Sequence, residues 1–506
     1  MAWRALPIEI GDGLLFDETG VAAEGRWKAG ARVRFRRGRP QAIGGWQRRL
    51  PGTLSGVCRA AIAWSNRARD LQIAYGTHSH LQIERGGALY DVTPTGLAVG
   101  AIDAGSLGGF GEGLYGRGAY GVGELGGGLL RTWSLAPYGE QLLASPRGGT
   151  LYAWLGNTGV RASAVAGAPA VIEAMFVDPN RYAVALGATE QGTGNFHPML
   201  VRWSDQDDYA SWVASATNKA GEFPVTEGAK LVGGSPGSPS LIWTDTALYE
   251  MRLLDADLVW GFPLVGTGCG LIGPRAHARR DGLAWWMSPT GQFFEFTGGP
   301  PTPLPCPLLD EVFDNLNWAQ AEKVHAAPNT AFDEIWWLYP DRRDGDGREC
   351  SRYVAFHLRE RHWTAGPLDR TAWIDAGLFA QPIAVTPGGI VYDHETGASA
   401  DGGPLGEWLI SGALDTEDGD AFWRIDGMMP DVENLEGVLQ VEILFRDTPQ
   451  GPERAIGPFA ITAAAQVLKF QAQGRHARIR FSSATTPSAW RLGDPRWDVR
   501  VTGMQR

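Results

Sequence analysis

Apolar and polar positions alternate along this chain in short runs that break at turn-forming residues. A run of that kind reads as a strand, and two runs around a short turn read as a hairpin. The stretch 200–253, LVRWSDQDDYASWVASATNKAGEFPVTEGAKLVGGSPGSPSLIWTDTALYEMRL, carries the pattern in full. One apolar run enters Arg202 and Trp203, and a polar loop follows with Asp205, Asp207 and Asp208. A second run at 240–244 turns at Thr244-Asp245-Thr246 and is answered by 248–253. Arg202, Trp203, Asp205, Trp212, Trp243 and Tyr249 are the residues expected to hold this motif together.

The same grammar recurs. Hairpins turn near His78, at 145–148, near Gln191, at 244–246, at 288–291, near Asp344 and at 386–389. SPRG, SPTG and TPGG are Ser/Thr-Pro-x-Gly turns, in which proline presets φ, the hydroxyl bonds back and glycine closes the turn. Successive turns lie 42–67 residues apart, and the longest interval falls into step once a glycine-rich insertion at 105–128 is set aside. A unit of about 40–50 residues with several short strands is the size of a propeller blade. The spacing therefore predicts an all-β chain: a β-propeller of about seven hairpin units (six to eight blades) over residues 31–400. Residues 1–30 read as an extended N-terminal arm. Past the linker ETGASADGGPLGE, the runs VLQVEILFRD, HARIRFSS and WRLGDPRWDVRV predict a separate β-sandwich-like domain over 401–506.

The insertion is itself repetitive: GEGLY, GRGAY, GVGEL and GGGLL share one frame over 111–130. Its GxGxxG matches, such as those at 111–116 and 116–121, follow no strand and open no helix, so they are not read as nucleotide sites. Tyr115 and Tyr120 are the expected anchors of a loop that touches a neighbouring subunit or partner.

Composition sharpens this picture. Gly 69, Pro 32 and Trp 21 in 506 residues suit a turn-rich sheet protein with an aromatic core. A net charge of −11 excludes a simple nucleic-acid clamp for the whole chain. Residues 25–49 run against that balance, with nine cations and no acid. Arg32, Arg34, Arg36 and Arg37 are accordingly candidate contacts to DNA phosphates or to an acidic partner surface. The four cysteines are widely spaced without a CxxC and read as buried free thiols of a reducing cytoplasm. The start MAWRALPIEIGDG lacks a signal-peptide core, and no apolar run of about 18 residues exists to span a membrane.

Catalytic patterns are weak. Asp205, Asp207 and Asp208 share one loop, whereas glycoside hydrolysis needs carboxylates on opposite sides of the bond. DGDG at 344–347 is followed by Arg348 where a calcium loop needs an oxygen ligand. HLRERH matches no zinc-hydrolase spacing and is explained by strand alternation; His78 and His80 read as a surface pair on a turn. No GxSxG elbow occurs. No catalytic, cofactor or metal-binding residue is assigned.

With these parts in place, the chain resembles the tail nozzle, or tail hub, proteins of short-tailed bacteriophages. The resemblance is carried by GRWKAGARVRFRRGRPQAIGGWQ, the Gly-Tyr loop, RWSDQDDYASWVASATNKAGEF with LIWTDTALYEM, and ARIRFSS with WRLGDPRWDV. It implies a non-enzymatic virion protein of the tail, six copies of which form a ring below the head–tail adaptor. The ring would enclose the exit channel for genomic DNA and offer its outer face to tail fibres or spikes. The alternative is a carbohydrate-binding or depolymerising propeller acting on host surface glycans through stacked tryptophans. A scaffold of adaptor type outside any virion is a third.

Overall fold

The computed structural model describes residues 5–7, 10–105, 129–254, 259–414, 421–448, 451–464 and 467–504. Seven antiparallel sheets follow one another along the chain as blades. Their first strands are Cys58–Ser65, Trp133–Tyr138, Ile172–Val177, Leu231–Ser235, His277–Arg280, His325–Asn329 and Ala372–Ile374, and all seven line one axial cavity. Each predicted turn joins the second and third strands of one blade, as 288–291 joins Leu283–Ser288 to Gln292–Phe296. Gly148, Gly291 and Gly389 close their turns at φ of 72°, 75° and 78°, a region that glycine enters without steric cost.

Neighbouring blades bury their faces against each other. Trp64, Trp133 and Trp154 fill the contact of blades 1 and 2; Met175 and Trp212 that of blades 2 and 3; Phe176 and Ile242 that of blades 3 and 4. Trp336 and Trp373 join blades 6 and 7. Blade 7 then packs on blade 1 through Leu54, Tyr75, Ile383 and Val391, so the ring is closed.

The closing strand comes from the far end of the chain. Trp46–Arg48 pairs antiparallel with Val391–His394 as the outermost strand of blade 7. Just beyond it Arg49 spans the seam: Nε donates to Glu84 of blade 1 and Nη1 to Asp393 of blade 7, both at 2.8 Å. Tyr75 Oη donates to the other oxygen of Glu84 at 2.7 Å.

The termini divide differently from the expected arm, propeller and C-terminal domain. Gly11–Leu14 and Arg26–Ala31 continue a sheet with Trp408–Ser411, His476–Ser482, Leu439–Arg446 and Arg454–Ile461. Val33–Arg36 and Arg39–Ala42 join Ala489–Leu492 and Val432–Glu436, while Ala5–Pro7 pairs with Arg496–Met504. Residues 11–42 are thus sandwich strands and not an arm or a first blade. Alternation identifies a strand, but its partner here lies more than 360 residues away. Trp27, Val33, Phe35, Leu409 and Phe481 share one apolar cluster with Phe293, Phe356 and Trp363 of blades 5 and 6, so the sandwich rests directly on the propeller.

Arg34 is the polar centre of that joint and is only 1% exposed. Its Nε and Nη2 donate to the two oxygens of Glu334 at 3.0 and 3.1 Å, and its Nη1 donates to Glu395 at 2.8 Å. The Phe332 ring centroid lies 3.6 Å from the guanidinium carbon. At Glu395 burial favours the protonated form, but Arg34 outweighs it and the carboxyl sits below its ordinary range. At Glu334 burial prevails and the carboxyl is raised despite Arg34.

Removing one partner of a buried ion pair leaves uncompensated charge, at about 3–5 kcal/mol. Arg34→Met is expected to lower unfolding stability by that amount in urea titration. Arg49→Ala, which opens the seam, is expected to cost about 1–3 kcal/mol in the same measurement.

Candidate functional site

The residues of the predicted Arg202 motif are packing and stapling elements. Arg202 donates to Thr189 O at 2.5 Å and Trp212 O at 3.1 Å, tying the blade 3 hairpin to its outer loop. Trp203 Nε1 donates to Lys219 O at 2.8 Å, and Asp205 accepts the backbone N–H of Lys219 at 2.8 Å. Trp212 is buried with its Nε1 donating to Tyr209 O at 2.7 Å. Tyr249 Oη accepts the Glu227 N–H at 2.7 Å, and Trp243 is buried in the blade core.

The arginine-rich segment is largely engaged within the chain. Arg34 is closed in its triad, and Arg32 donates to the carbonyls of Pro367, at 3.1 Å, and Leu405. Neither presents its charge outward, because strand-face cations here meet blade 6 and the linker and not solvent. Arg36 and Arg37 are exposed at the hairpin tip, while Arg39 pairs with Asp494. Tyr115 and Tyr120 lie outside the described residues.

The HLRERH motif acquires company. HLRERH is a turn and not an alternating strand: His357 Nδ1 accepts the Glu360 N–H at 3.0 Å. His362 then faces Asp12 of the sandwich at 3.3 Å and Glu360 at 3.8 Å, a grouping compatible with a metal ion. Glu360 also accepts the backbone N–H groups of Arg37, at 2.8 Å, and Gly38, at 3.3 Å, so the cluster already serves as a joint between the two bodies. The four cysteines are buried and unpaired, and burial pushes the Cys58 and Cys269 thiols up to about 12 and about 11.

The feature that sequence reading missed is the axial cavity, of about 530 Å³. Its chemistry comes from RAHARR at 275–280, around the first strand of blade 5. Alternate residues of a strand face opposite ways. Ala276 and Ala278 enter the interblade core, and Arg275, His277 and Arg279 line the cavity. At about 3.3 Å per residue, the two arginines stand about 13 Å apart along the wall. His325 of the next blade joins them, its Nε2 accepting the Trp373 N–H at 3.1 Å. Trp133, Phe176 and Trp373 supply the apolar walls.

One end of the cavity is plugged. The connection from blade 5 to blade 6 makes a 3-10 turn, Trp318–Lys323, whose side chains reach partners around the ring. Glu322 takes Arg147 at 2.5 Å and Lys230 at 3.2 Å; Lys323, with 0% side-chain exposure, takes Asp103 at 2.6 Å and Glu349 at 2.9 Å. Arg59 from the first strand of blade 1 closes on the same Glu349 at 2.6 Å. Arg275 and His325 therefore lie at the plugged end, where their strands begin. Arg279, Asp178 and Asp375 lie at the other, where the strands finish.

The acids at that far end are engaged locally. Asp178 accepts from Asn180, through both nitrogens at 2.8 Å, and from Ser240 Oγ at 2.8 Å. Asp375 accepts the N–H groups of Thr330 and Ala376 at 3.0 and 2.8 Å. Desolvation, seconded by Arg275, pulls His277 and His325 down to about 3. Desolvation and then His357 bring His362 down to about 4.

No protein-family model and no curated protein matches this chain. Among solved structures it is similar to the computationally designed Ika8 protein, at 12% identity over 72% of this chain and 96% of that one, TM-score 0.37. It is also similar to YCF48 bound to D1 peptide, at 12% identity, 70% and 99% coverage and TM-score 0.39. The WD40 β-propeller domain of Doa1 stands at 10% identity, 69% and 97% coverage and TM-score 0.40. Similarity at this level says nothing of function.

Imidazoles held neutral in the fold, at about 3 for His277 and His325 and about 4 for His362, take up protons more readily when unfolded, near the ordinary 6.5. Their contribution is complete above about pH 6.5 and is lost as the pH falls toward the folded values. Denaturation midpoints are expected to decline already between about pH 6.5 and 5, before the bulk of the carboxylates titrate. His277→Gln is expected to flatten that slope.

Proposed function

We propose that the chain is the subunit of a ring-shaped tail nozzle of a short-tailed bacteriophage. Six copies sit below the head–tail adaptor, enclose the DNA exit channel and carry tail fibres or spikes. The observation that supports this reading is what the resembling segments do in the fold. GRWKAGARVRFRRGRPQAIGGWQ supplies sandwich strands, the Arg34 joint and the closing strand of blade 7. RWSDQDDYASW staples the outer loop of blade 3. Their polar groups are engaged in holding a two-body unit together, which is the requirement of a subunit that must keep its shape in a ring. The propeller axis is plugged by Trp318–Lys323, so in this reading DNA travels between subunits and not through a propeller. Arg36 and Arg37, exposed on their hairpin, are the cations left for an acidic neighbour or adaptor.

The glycan reading needs aromatic rings open to sugar. Of the 21 tryptophans 18 are buried in blade and sandwich cores, and among the described residues Trp318 is the exposed one at 48%. Stacking surface of that extent is small for a polysaccharide reader.

Particle mass and symmetry test the proposal. Purified chain, alone or with its head–tail adaptor, is expected to form six-fold rings visible in electron micrographs, and Arg36→Glu with Arg37→Glu is expected to weaken assembly about tenfold or more. A chain that stays monomeric under both conditions while hydrolysing host polysaccharide overturns it.

A further inference from the structure

Among the described residues, the most deeply buried cations are matched by carboxylates. Arg34 meets Glu334 and Glu395, Arg59 meets Glu349, Arg147 meets Glu173 and Glu322, and Lys323 meets Asp103 and Glu349. Like Arg279 at the far end of the cavity, Arg275 is part-buried and bonded to carbonyl oxygen instead. Its Nη2 donates to Trp133 O at 2.9 Å, and among the described residues no carboxylate lies within salt-bridge reach of it. A guanidinium has five N–H donors in a planar fork suited to a carboxylate or phosphate, and that of Arg275 belongs to a residue lining the cavity.

We propose that the axial cavity binds a small organic oxyanion, a carboxylate or phosphomonoester, with its acid group on Arg275 and its body against Trp133, Phe176 and Trp373. Three independent features carry this. The first is the cation at the plugged end, which has no carboxylate partner among the described residues. Desolvation draws Arg275 down to about 10, with only Cys58 opposing.

The second is a pair of imidazoles in the same wall, each with an unpartnered nitrogen. His325 Nε2 lies 3.1 Å from the Trp373 nitrogen and 3.4 Å from its carbonyl oxygen, and the ring's Nδ1 is buried without a partner. His277 Nδ1 is likewise buried without a partner, and its ring is held by stacking on Trp243 with centroids 4.7 Å apart. Polar atoms buried and unpaired in this way cost free energy unless a ligand or water completes them.

The third is shape and sign. About 530 Å³ falls in the range of small-molecule pockets, the walls are aromatic, and Asp178 and Asp375 stand at the opposite end, tied into their own turns. An anion entering past them reaches an end with a cation and two imidazoles and no competing acid. This site is independent of ring assembly, since all its residues belong to one propeller.

The test uses the full chain with three probes: inorganic phosphate, phenyl phosphate and benzoate. Saturable calorimetric binding of at least one is expected, with a dissociation constant of order 1 mM or tighter. Phenyl phosphate against benzoate decides the acid group, and either against inorganic phosphate reads the contribution of the aromatic walls. Arg275→Met, which keeps the length of the side chain without its charge, is expected to weaken binding about tenfold or more. Without probe it is expected to melt at or above the parent temperature, because an unmatched cation has been removed. Arg275→Lys is expected to retain part of the affinity. The proposal is overturned if no probe binds at about 10 mM, or if Arg275→Met binds as the parent does. It is overturned equally if Arg275→Met melts well below the parent or fails to fold, for then the arginine is structural.

Discussion

Closure is the constraint on which this molecule depends. Seven blades packed face to face leave two apolar faces bare unless the last meets the first. Here the two are brought together by Leu54, Tyr75, Ile383 and Val391. An outer strand drawn from the N-terminal segment then pairs with Val391–His394, and Arg49 bridges Glu84 to Asp393 across the seam. Because the strand preceding that seam belongs to the sandwich, closing the propeller also places the second body. The axial cavity, its plug and the Arg34 joint are consequences of that single return of the chain.

Charge is distributed along the same logic. A net of −11 arises although the interior holds several cations, because most of those cations are neutralised in place. The 3-10 turn Trp318–Lys323 is the clearest case. Its Glu322 and Lys323 collect partners from blades 2 and 6, from the strand start of blade 4 and from the chain leading out of blade 1. A short turn with little core of its own is held by ion pairs partly shielded from water, where charge-assisted bonds are stronger than at an open surface. Against that background Arg275 and Arg279, bonded to carbonyl oxygens in the cavity wall, are exceptions.

The hairpin turns were legible because their chemistry is local: Pro, hydroxyl and Gly at fixed offsets dictate φ wherever the segment lies. Their even spacing carried the blade count, and each turn falls between the middle strands of a blade. The arginine segment was misleading for an equally physical reason. Arg32 and Arg34 alternate with apolar residues as on a solvated strand, yet the face they occupy meets Pro367, Leu405, Glu334 and Glu395 from more than 290 residues away. RAHARR held a readable signal, cations alternating with alanine on the first strand of a blade, but its meaning depends on that face being the axis.

What this sequence determined by itself is the set of strands, their turns and the repeat that makes blades, since short-range sterics and side-chain alternation are written residue by residue. Only the tertiary structure decided that the first strands complete a sandwich with the last hundred residues, that an exposed-looking arginine is a buried joint, and that three alternating side chains line a plugged cavity. Those outcomes depend on which distant surface each strand meets, and solvent exposure, unlike φ, is a property of the whole assembled chain.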